Sequence, residues 1–164
     1  MKIPRWLDRR EEAVVAWMAA HGVTLLRVSL GVIFLWFGAL KFVPDLSPAE
    51  ALAGRAIEAV SFGLVPPRVS VPLLAAVECL IGLGLLTGVA LRATLLLLWL
   101  QMLGTLTPIF LFPAEVFVRV PWAPTLEGQY IVKNLVIISA SLVIGATVRG
   151  GDVVPEPPEE VCEP

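Results

Sequence analysis

Lys41, Glu78 and Lys133 stand in the expected outer halves of three long apolar stretches of the sequence. A charge at membrane depth costs at least roughly 2.5–3.5 kcal/mol, so each of these residues must be paired, neutralised or exposed to water. Glu78 can pair with one or both lysines and form a site for a proton or a small molecule. Two alternatives remain open. The pair only locks the helices together, or the lysines extend to the interface beside a protonated Glu78.

Further polar residues stand at similar expected depths on the other apolar stretches. Gln101 and Thr105 are four residues apart and share one face of a helix. Gln101 is expected to hydrogen-bond between helices, and a ligand role is the alternative. No catalytic residue is assigned and no metal is expected. The candidate polar site in the outer half of the membrane has these members: Lys41, Glu78, Gln101, Thr105, Tyr130, Lys133 and Asn134.

Arg27 lies near the inner end of the first apolar stretch, away from this site. No acidic residue stands at its depth on the other stretches, so we expect its side chain to extend to the inner interface. One alternative is a pair with Glu11 or Glu12, folded back from the N-terminal segment. Another is a contact with anionic lipid or a partner.

The composition places these residues in a membrane protein. The chain has 164 residues, 57% of them hydrophobic and 16% charged, and its mean hydropathy is +0.85. Soluble domains carry about 25% charged residues. The net charge of −2 lacks the basic character that nucleic-acid binding needs. We therefore expect the chain to contact a lipid bilayer and no nucleic acid.

Four apolar stretches are each long enough to cross a bilayer, which takes about 20 residues in a helix. Because the connections between them are short, they predict an all-α membrane protein, an antiparallel four-transmembrane-helix bundle. The expected spans are about 23–43, 70–91, 93–112 and 129–148, within a membrane domain of residues 23–149. Pro108 is expected to kink the third span. Residues 116–120 alternate enough to predict a short strand or an extended re-entrant piece.

Three other segments complete the expected organisation. Residues 1–22 predict an N-terminal amphipathic interfacial helix rather than a secretory signal, because the apolar run AVVAWMAA is short and follows RWLDRREE. The stretch SPAEALAGRAIEAVSFGL predicts a short surface helix in the first outer loop, with Ser47 as its N-cap. Residues 150–164 are acidic and proline-rich, so they are expected to be disordered.

Several chemistries lack the residues that they need. Cys79 and Cys162 form no CxxC motif, so the chain is not expected to be a thiol-disulfide enzyme. His21 is the only histidine and precedes the first span, which excludes bis-histidine haem ligation within one chain. The glycines of GLGLLTG are typical of a membrane helix rather than of a nucleotide loop.

Several stretches resemble the DoxX-like family of small four-helix membrane proteins. LLRVSLGVIFLWFGALKF resembles the first helix of the family and AVECLIGLGLLTG the second. TLTPIFLFP and PTLEGQYIVKNLVIISASLVIGA resemble the third and the fourth. The most specific parts are GALK and the stretch GQYIVKN. The resemblance implies a four-helix membrane fold, and it brings no agreed catalytic motif to this sequence.

The resemblance also implies a function. The family is named for a small subunit of a thiosulfate:quinone oxidoreductase, and other members are linked to membrane redox complexes. The chain is therefore expected to be a membrane subunit associated with a redox complex, with a redox protein as partner and a quinone or small sulfur compound as candidate ligand. If it is an enzyme, the resemblance implies a quinone-linked oxidoreductase subunit. The alternative is a non-enzymatic assembly, scaffold or small transport component.

The distribution of lysine and arginine predicts the orientation. Six basic residues flank the spans on one side of the membrane and three on the other: Lys2, Arg5, Arg9, Arg10, Arg92 and Arg149 against Arg55, Arg68 and Arg119. Because basic residues favour the cytoplasmic side, both termini are expected in the cytoplasm of a cell with this protein in its inner membrane. Reporter fusions after Gly151 should be cytoplasmic, and fusions between residues 113 and 128 external. The reverse pattern would invert every inner and outer assignment.

Overall fold

Four helices of the protein are long and apolar enough to cross a membrane, judged by length and composition. The computed structural model describes residues 5–44, 46–47 and 50–151, with side chains from Arg10 onward. The candidate spans are Arg10–Leu40, Pro67–Thr87, Leu91–Leu111 and Leu126–Ala146. They confirm the predicted all-α membrane fold with four transmembrane helices. The proline-rich tail from residue 152 onward lies outside the described residues.

The spans close into a bundle, because α1 and α4 each pack against both α3 and α7. One end of the bundle carries α2 and a β-hairpin, and we call it the loop end. The other end carries the turn at residues 88–90 and the end of α7, and we call it the terminal end. The elements are α1 (Arg5–Leu40), α2 (Glu50–Val60), α3 (Pro67–Thr87), α4 (Leu91–Thr105), α5 (Thr107–Leu111), α6 (Pro113–Val116), β1 (Phe117–Arg119), β2 (Ala123–Pro124) and α7 (Leu126–Ala146).

The first span is part of a much longer helix. α1 has 36 residues and continues through Gly22 without a break, although the expected boundary between the N-terminal segment and the first span falls there. A glycine in a helix interior costs about 1 kcal/mol relative to alanine, which weakens a helix without ending it. No proline occurs in α1, and Pro44 follows its end. The N-terminal segment is therefore an extension of α1 from Arg5 onward.

The third span is interrupted at the place that Pro108 predicts. α4 ends at Thr105 and α5 begins at Thr107. Since proline has no N–H, the carbonyl of Gly104 loses its helical partner. Thr107 Oγ1 donates a hydrogen bond to that carbonyl at 2.8 Å. A side chain thus replaces the missing backbone hydrogen bond, which allows the break to lie within an apolar span.

The loop end is closed by α2 and by the hairpin of β1 and β2. β1 pairs with β2 in antiparallel fashion and begins at Phe117, within the expected strand of residues 116–120. Thr125 then caps α7, since its hydroxyl accepts a hydrogen bond from the Gly128 N–H at 3.1 Å. α2 buries Leu52, Gly54 and Ala56, which lie on more than one side of the helix, so only a narrow face of α2 is exposed.

Two clusters of buried apolar side chains fill the bundle at different depths. Along α7, Asn134 falls between the two clusters, and along the third span Thr105 does so. A layer of polar side chains therefore separates the two cores. The smaller core lies at the loop end and consists of Leu52, Val116 and Ile131. The larger extends towards the terminal end and consists of Leu30, Phe34, Ile81, Leu85, Leu95, Leu98, Met102, Ala140 and Ile144.

α1 and α3 pack so closely that their crossing requires glycine. A Cβ on Gly82 would lie 2.5 Å from the backbone nitrogen of Leu35, and a Cβ on Gly38 would lie 2.8 Å from the Cβ of Glu78. Both distances are too short for real atoms, so a larger residue would push the helices apart. The face of α1 that meets α3 carries the buried residues Gly31, Phe34 and Gly38, and the buried Lys41 follows in the turn after α1.

The variant Gly82→Ala is expected to destabilise the protein, because its Cβ must displace the backbone of α1. Overpacking of this kind costs about 1–3 kcal/mol. Gly104→Ala is the matched control, since a Cβ there meets nothing within 4 Å. It should be neutral or slightly stabilising. Thermal unfolding in mild detergent measures both effects, and equal melting temperatures for the two variants would contradict the close crossing.

Candidate functional site

Glu78 lies at the centre of the candidate site. Its carboxylate accepts one hydrogen bond from Lys41 Nζ to Oε2 at 2.6 Å and one from Gln101 Nε2 to Oε1 at 2.9 Å. Lys41 and Glu78 are each only 8% exposed. The structure thus brings together three predicted residues from α3, α4 and the turn that follows α1. We call these three residues the carboxylate cluster.

The end of α1 directs the Lys41 ammonium to the carboxylate. Lys41 follows the last residue of α1, and its Nζ also donates to the Phe37 carbonyl at 3.3 Å. A cation near the last carbonyls of a helix is favourable, because those carbonyls have no helical partner. Gly38 places no side chain between α1 and Glu78. The close crossing of the two helices therefore brings the ammonium within reach of the carboxylate.

Gln101 has one polar atom without a partner. Its Oε1 is buried and accepts no hydrogen bond from the described residues. A buried acceptor left unsatisfied costs about 1–3 kcal/mol, so such an atom needs an explanation. The bond from Nε2 to Glu78 fixes the orientation of the amide. Oε1 is therefore available to an O–H, N–H or S–H donor.

Two further predicted residues form a second polar pair. Asn134 Nδ2 donates to Thr105 Oγ1 at 3.2 Å, and Thr105 Oγ1 donates to the Met102 carbonyl at 2.8 Å. Thr105 lies one helical turn after Gln101, towards the loop end. The pair joins α4 to α7 and belongs to the same polar layer as the carboxylate cluster.

Lys133 and Tyr130 lie elsewhere, although they share the depth of the cluster. Both residues are exposed, and the Lys133 ammonium lies 5.7 Å from the centre of the Tyr130 ring. Of the two lysines that the sequence allows as partners, Lys41 pairs with Glu78 and Lys133 does not. Depth alone does not determine the face of a helix, because adjacent residues point about 100° apart. On α7 the neighbouring Asn134 faces the bundle and Lys133 does not.

Arg27 binds the end of a neighbouring helix instead of the interface or an acid. Its Nη1 donates to the carbonyl of Leu85, and to that of Leu86 at 3.3 Å. These carbonyls belong to the last turn of α3, where no helical N–H remains to satisfy them. Gly88 follows with a φ of 72°, and a Cβ there would lie 3.2 Å from Arg27 Nη1. Arg27 thus ties α1 to α3 at the terminal end.

No pattern in the sequence indicates the ion pair that lies at the loop end. The guanidinium of Arg55 on α2 donates hydrogen bonds to both carboxylate oxygens of Glu115 on α6, sixty residues away in the sequence. The hydrogen bond that Arg55 donates to Glu115 raises the pKa of Arg55 above its ordinary value, and the guanidinium also lies 5.5 Å from the centre of the Phe112 ring. Exposed pairs contribute little stability. This pair links α2 to α6 at the loop end.

Removing one member of the Lys41–Glu78 pair is expected to cost about 3–5 kcal/mol, because the other charge is left buried without compensation. Glu78→Gln and Lys41→Met should each lower the melting temperature in detergent. The double variant should lose less than the sum of the two, since neither charge is then stranded. Lys133→Met, an exposed lysine at the same depth, should change little. Strictly additive losses would show that Lys41 and Glu78 are not coupled.

Comparison with known proteins identifies the family of the chain. The family model described as DoxX matches residues 22–113, which is more than half of the sequence. The matched range includes the carboxylate cluster and ends before the fourth span. No curated protein and no solved structure matches the chain. This multi-pass membrane protein with four apolar helices belongs to the DoxX family.

Proposed function

We propose that this protein is a small membrane subunit of a redox complex, and that its carboxylate cluster binds a quinone or a small sulfur compound. The observation that carries the proposal is the unpartnered Gln101 Oε1 beside the Glu78 carboxylate. A packing role accounts for the hydrogen bond from Gln101 to Glu78, but it leaves the buried acceptor of the same amide without a donor. The link to redox chemistry comes from the family resemblance, and the polar site comes from the geometry.

The reduced form of such a ligand carries an O–H or S–H group, which can donate a hydrogen bond to the carboxylate cluster. A quinol hydroxyl or a thiol can donate to Gln101 Oε1. When the ligand gives its electrons to a partner protein, it also releases protons. Glu78 is hydrogen-bonded to the same amide and is positioned to take one of them. In this proposal the chain binds the ligand and handles the proton, and the redox partner carries the electrons.

The position of the cluster suggests the side from which the ligand arrives. The cluster lies in the half of the bundle nearer the loop end, where Lys41 follows α1. In the orientation that the basic residues favour, both termini are cytoplasmic and the loop end faces the exterior of the inner membrane. The ligand would then bind in the outer half of the bilayer.

A second candidate function is supported by the packing of the same cluster. Both oxygens of Glu78 are already hydrogen-bonded, and Lys41 and Glu78 are almost fully buried. A cavity of about 320 Å³ lies away from the cluster, between α2 and the start of α7, and is lined by Ala51, Leu52, Arg55, Glu115 and Glu127. In this alternative the cluster holds the helices together, and the loop end docks a partner in assembly or small-molecule transport.

Purification from native membranes in mild detergent tests the proposal. Mass spectrometry of the wild type should find a quinone or a small sulfur compound together with a redox protein. Gln101→Leu should lose most of the bound compound, because both polar atoms of the amide are removed. Lys133→Met is the matched control and should retain it, since Lys133 is exposed and outside the cluster.

The outcomes separate the two functions. Binding of the compound by the wild type and its loss in Gln101→Leu, with a folded variant, would support the ligand site. Equal retention by Gln101→Leu, or no such compound in the wild type, would overturn it. A non-redox protein recovered alone would support the assembly role instead.

A further inference from the structure

The free polar atom of the carboxylate cluster is an acceptor, which limits the ligands that the cluster can bind. Gln101 Nε2 donates to Glu78 Oε1 at 2.9 Å, and Gln101 Oε1 is left buried, without a donor from the described chain. Thr105 lies one helical turn away, but its hydroxyl donates to the Met102 carbonyl. A bound molecule must therefore bring an O–H, N–H or S–H group to satisfy this oxygen.

The charge of the cluster narrows the choice of ligand further. Lys41 Nζ and Glu78 Oε2 are 2.6 Å apart, so the two charges compensate each other. Lys133, the other lysine at this depth, is exposed and lies outside the cluster. An anionic sulfur compound would need a free cation, because a buried charge without a partner is costly. A neutral molecule with a hydroxyl group needs none, and a quinol is such a molecule.

The oxidised form of a quinol does not suit the cluster in this state. A quinone carries carbonyl oxygens, which accept hydrogen bonds and donate none. Next to Gln101 Oε1 a quinone would place two acceptors together, and the buried amide oxygen would stay unpaired. The two redox forms of the ligand therefore differ in the hydrogen bond that Gln101 can make with them.

Protonation of Glu78 changes which atom of the Gln101 amide the carboxyl group needs. A protonated carboxyl group has an O–H donor, and the Lys41 ammonium has no acceptor for it. Gln101 Oε1 becomes that acceptor when the amide turns by about 180° around its last side-chain torsion, which is broad and roughly two-fold in glutamine. The turn exchanges the positions of the amide oxygen and nitrogen. The N–H of Gln101 then faces the ligand in place of Oε1.

Few neighbours of Glu78 compete for this role. α3, which carries Glu78, packs against α1, α2 and α4. The carboxylate faces Lys41 on the side of α1 and Gln101 on α4. The Cys79 thiol, next to Glu78 on α3, is directed at the backbone of α1. In the described chain, Glu78 is not bonded to any of the charged side chains of α2, which are Glu50, Arg55 and Glu58.

We propose that the carboxylate cluster binds a quinol in preference to its quinone while Glu78 is ionised, and that Gln101 reverses this preference when Glu78 is protonated. This selectivity presupposes the ligand site of the proposed function and identifies its ligand as a quinol. In the first state Gln101 Oε1 accepts a hydrogen bond from the quinol hydroxyl. In the second state Gln101 Nε2 donates one to the quinone carbonyl. Gln101 is thus the residue that selects the redox form.

Equilibrium binding of a short-chain benzoquinol and of the corresponding benzoquinone to the purified protein tests this selectivity. In mild detergent at neutral pH and without oxygen, the wild type should bind the quinol about 5- to 100-fold more tightly, as one unpaired buried acceptor implies. Gln101→Leu should bring the ratio of the two affinities close to one. Lys133→Met is the matched control and should keep the wild-type ratio, since Lys133 is exposed and outside the cluster.

Two further measurements test the effect of protonation. Glu78→Gln places an uncharged donor beside Gln101, as a protonated carboxyl group does, and should bind the quinone more tightly than the quinol. Because loss of the ion pair destabilises this variant, the wild type is also titrated to acid pH. The infrared band of the ionised carboxylate reports the state of Glu78 during the titration. The preference for the quinol should fall in step with that band.

The outcomes separate this selectivity from the proposed function. Equal binding of the two forms by the wild type, or a preference that stays constant while Glu78 becomes protonated, would overturn the selectivity and leave the ligand site in place. Retention of the preference by Gln101→Leu would overturn the role of Gln101. Binding of thiosulfate and of neither quinone form would exclude a quinol and leave the proposed function standing. A wild type that binds none of the three compounds would overturn both.

Discussion

The ion pair between Lys41 and Glu78 is the interaction on which the rest of the bundle depends. Taking two charges out of water carries a large desolvation cost, and only close contact with additional hydrogen bonds offsets it. The close contact requires that α1 and α3 approach at Gly38 and Gly82. The additional bonds come from Gln101 and from the Phe37 carbonyl. The pair belongs to the polar layer that separates the two apolar cores of the bundle.

This arrangement gives a membrane carboxylate a defined environment. Lys41 supplies a compensating charge, and Gln101 supplies a donor to the carboxylate and an acceptor that the described chain leaves unused. The first two features suit a packing role and the third suits a ligand. The proposed redox function and the assembly alternative thus make different predictions for one atom: Gln101 Oε1 accepts a hydrogen bond from a ligand in the first and has no ligand in the second. Arg27 performs a purely structural task at the other end of the same helix pair, since its partners are backbone carbonyls.

Much of the fold could be predicted because the bilayer restricts it: a stretch of about 20 apolar residues has to be a helix. Pairing of Glu78 with a lysine follows from the cost of burying charge. The choice of Lys41 over Lys133 does not, because it depends on which face of α7 turns inward. The role of Arg27 could not be predicted for another reason. Its partners are backbone carbonyls, which every residue has, so no residue type in the sequence indicates them. A glycine alone does not show that a helix ends. α1 continues through Gly22, so it is longer than the sequence predicts.

Infrared spectroscopy of the purified protein in lipid tests the central claim most directly. If Glu78 is an ionised carboxylate held by Lys41, the difference spectrum between the wild type and Glu78→Gln should contain the loss of an ionised carboxylate band. The spectrum of Lys133→Met should keep that band, and Lys41→Met should convert it to the band of a protonated acid. A wild type in which Glu78→Gln removes a protonated acid band instead would contradict the buried ion pair.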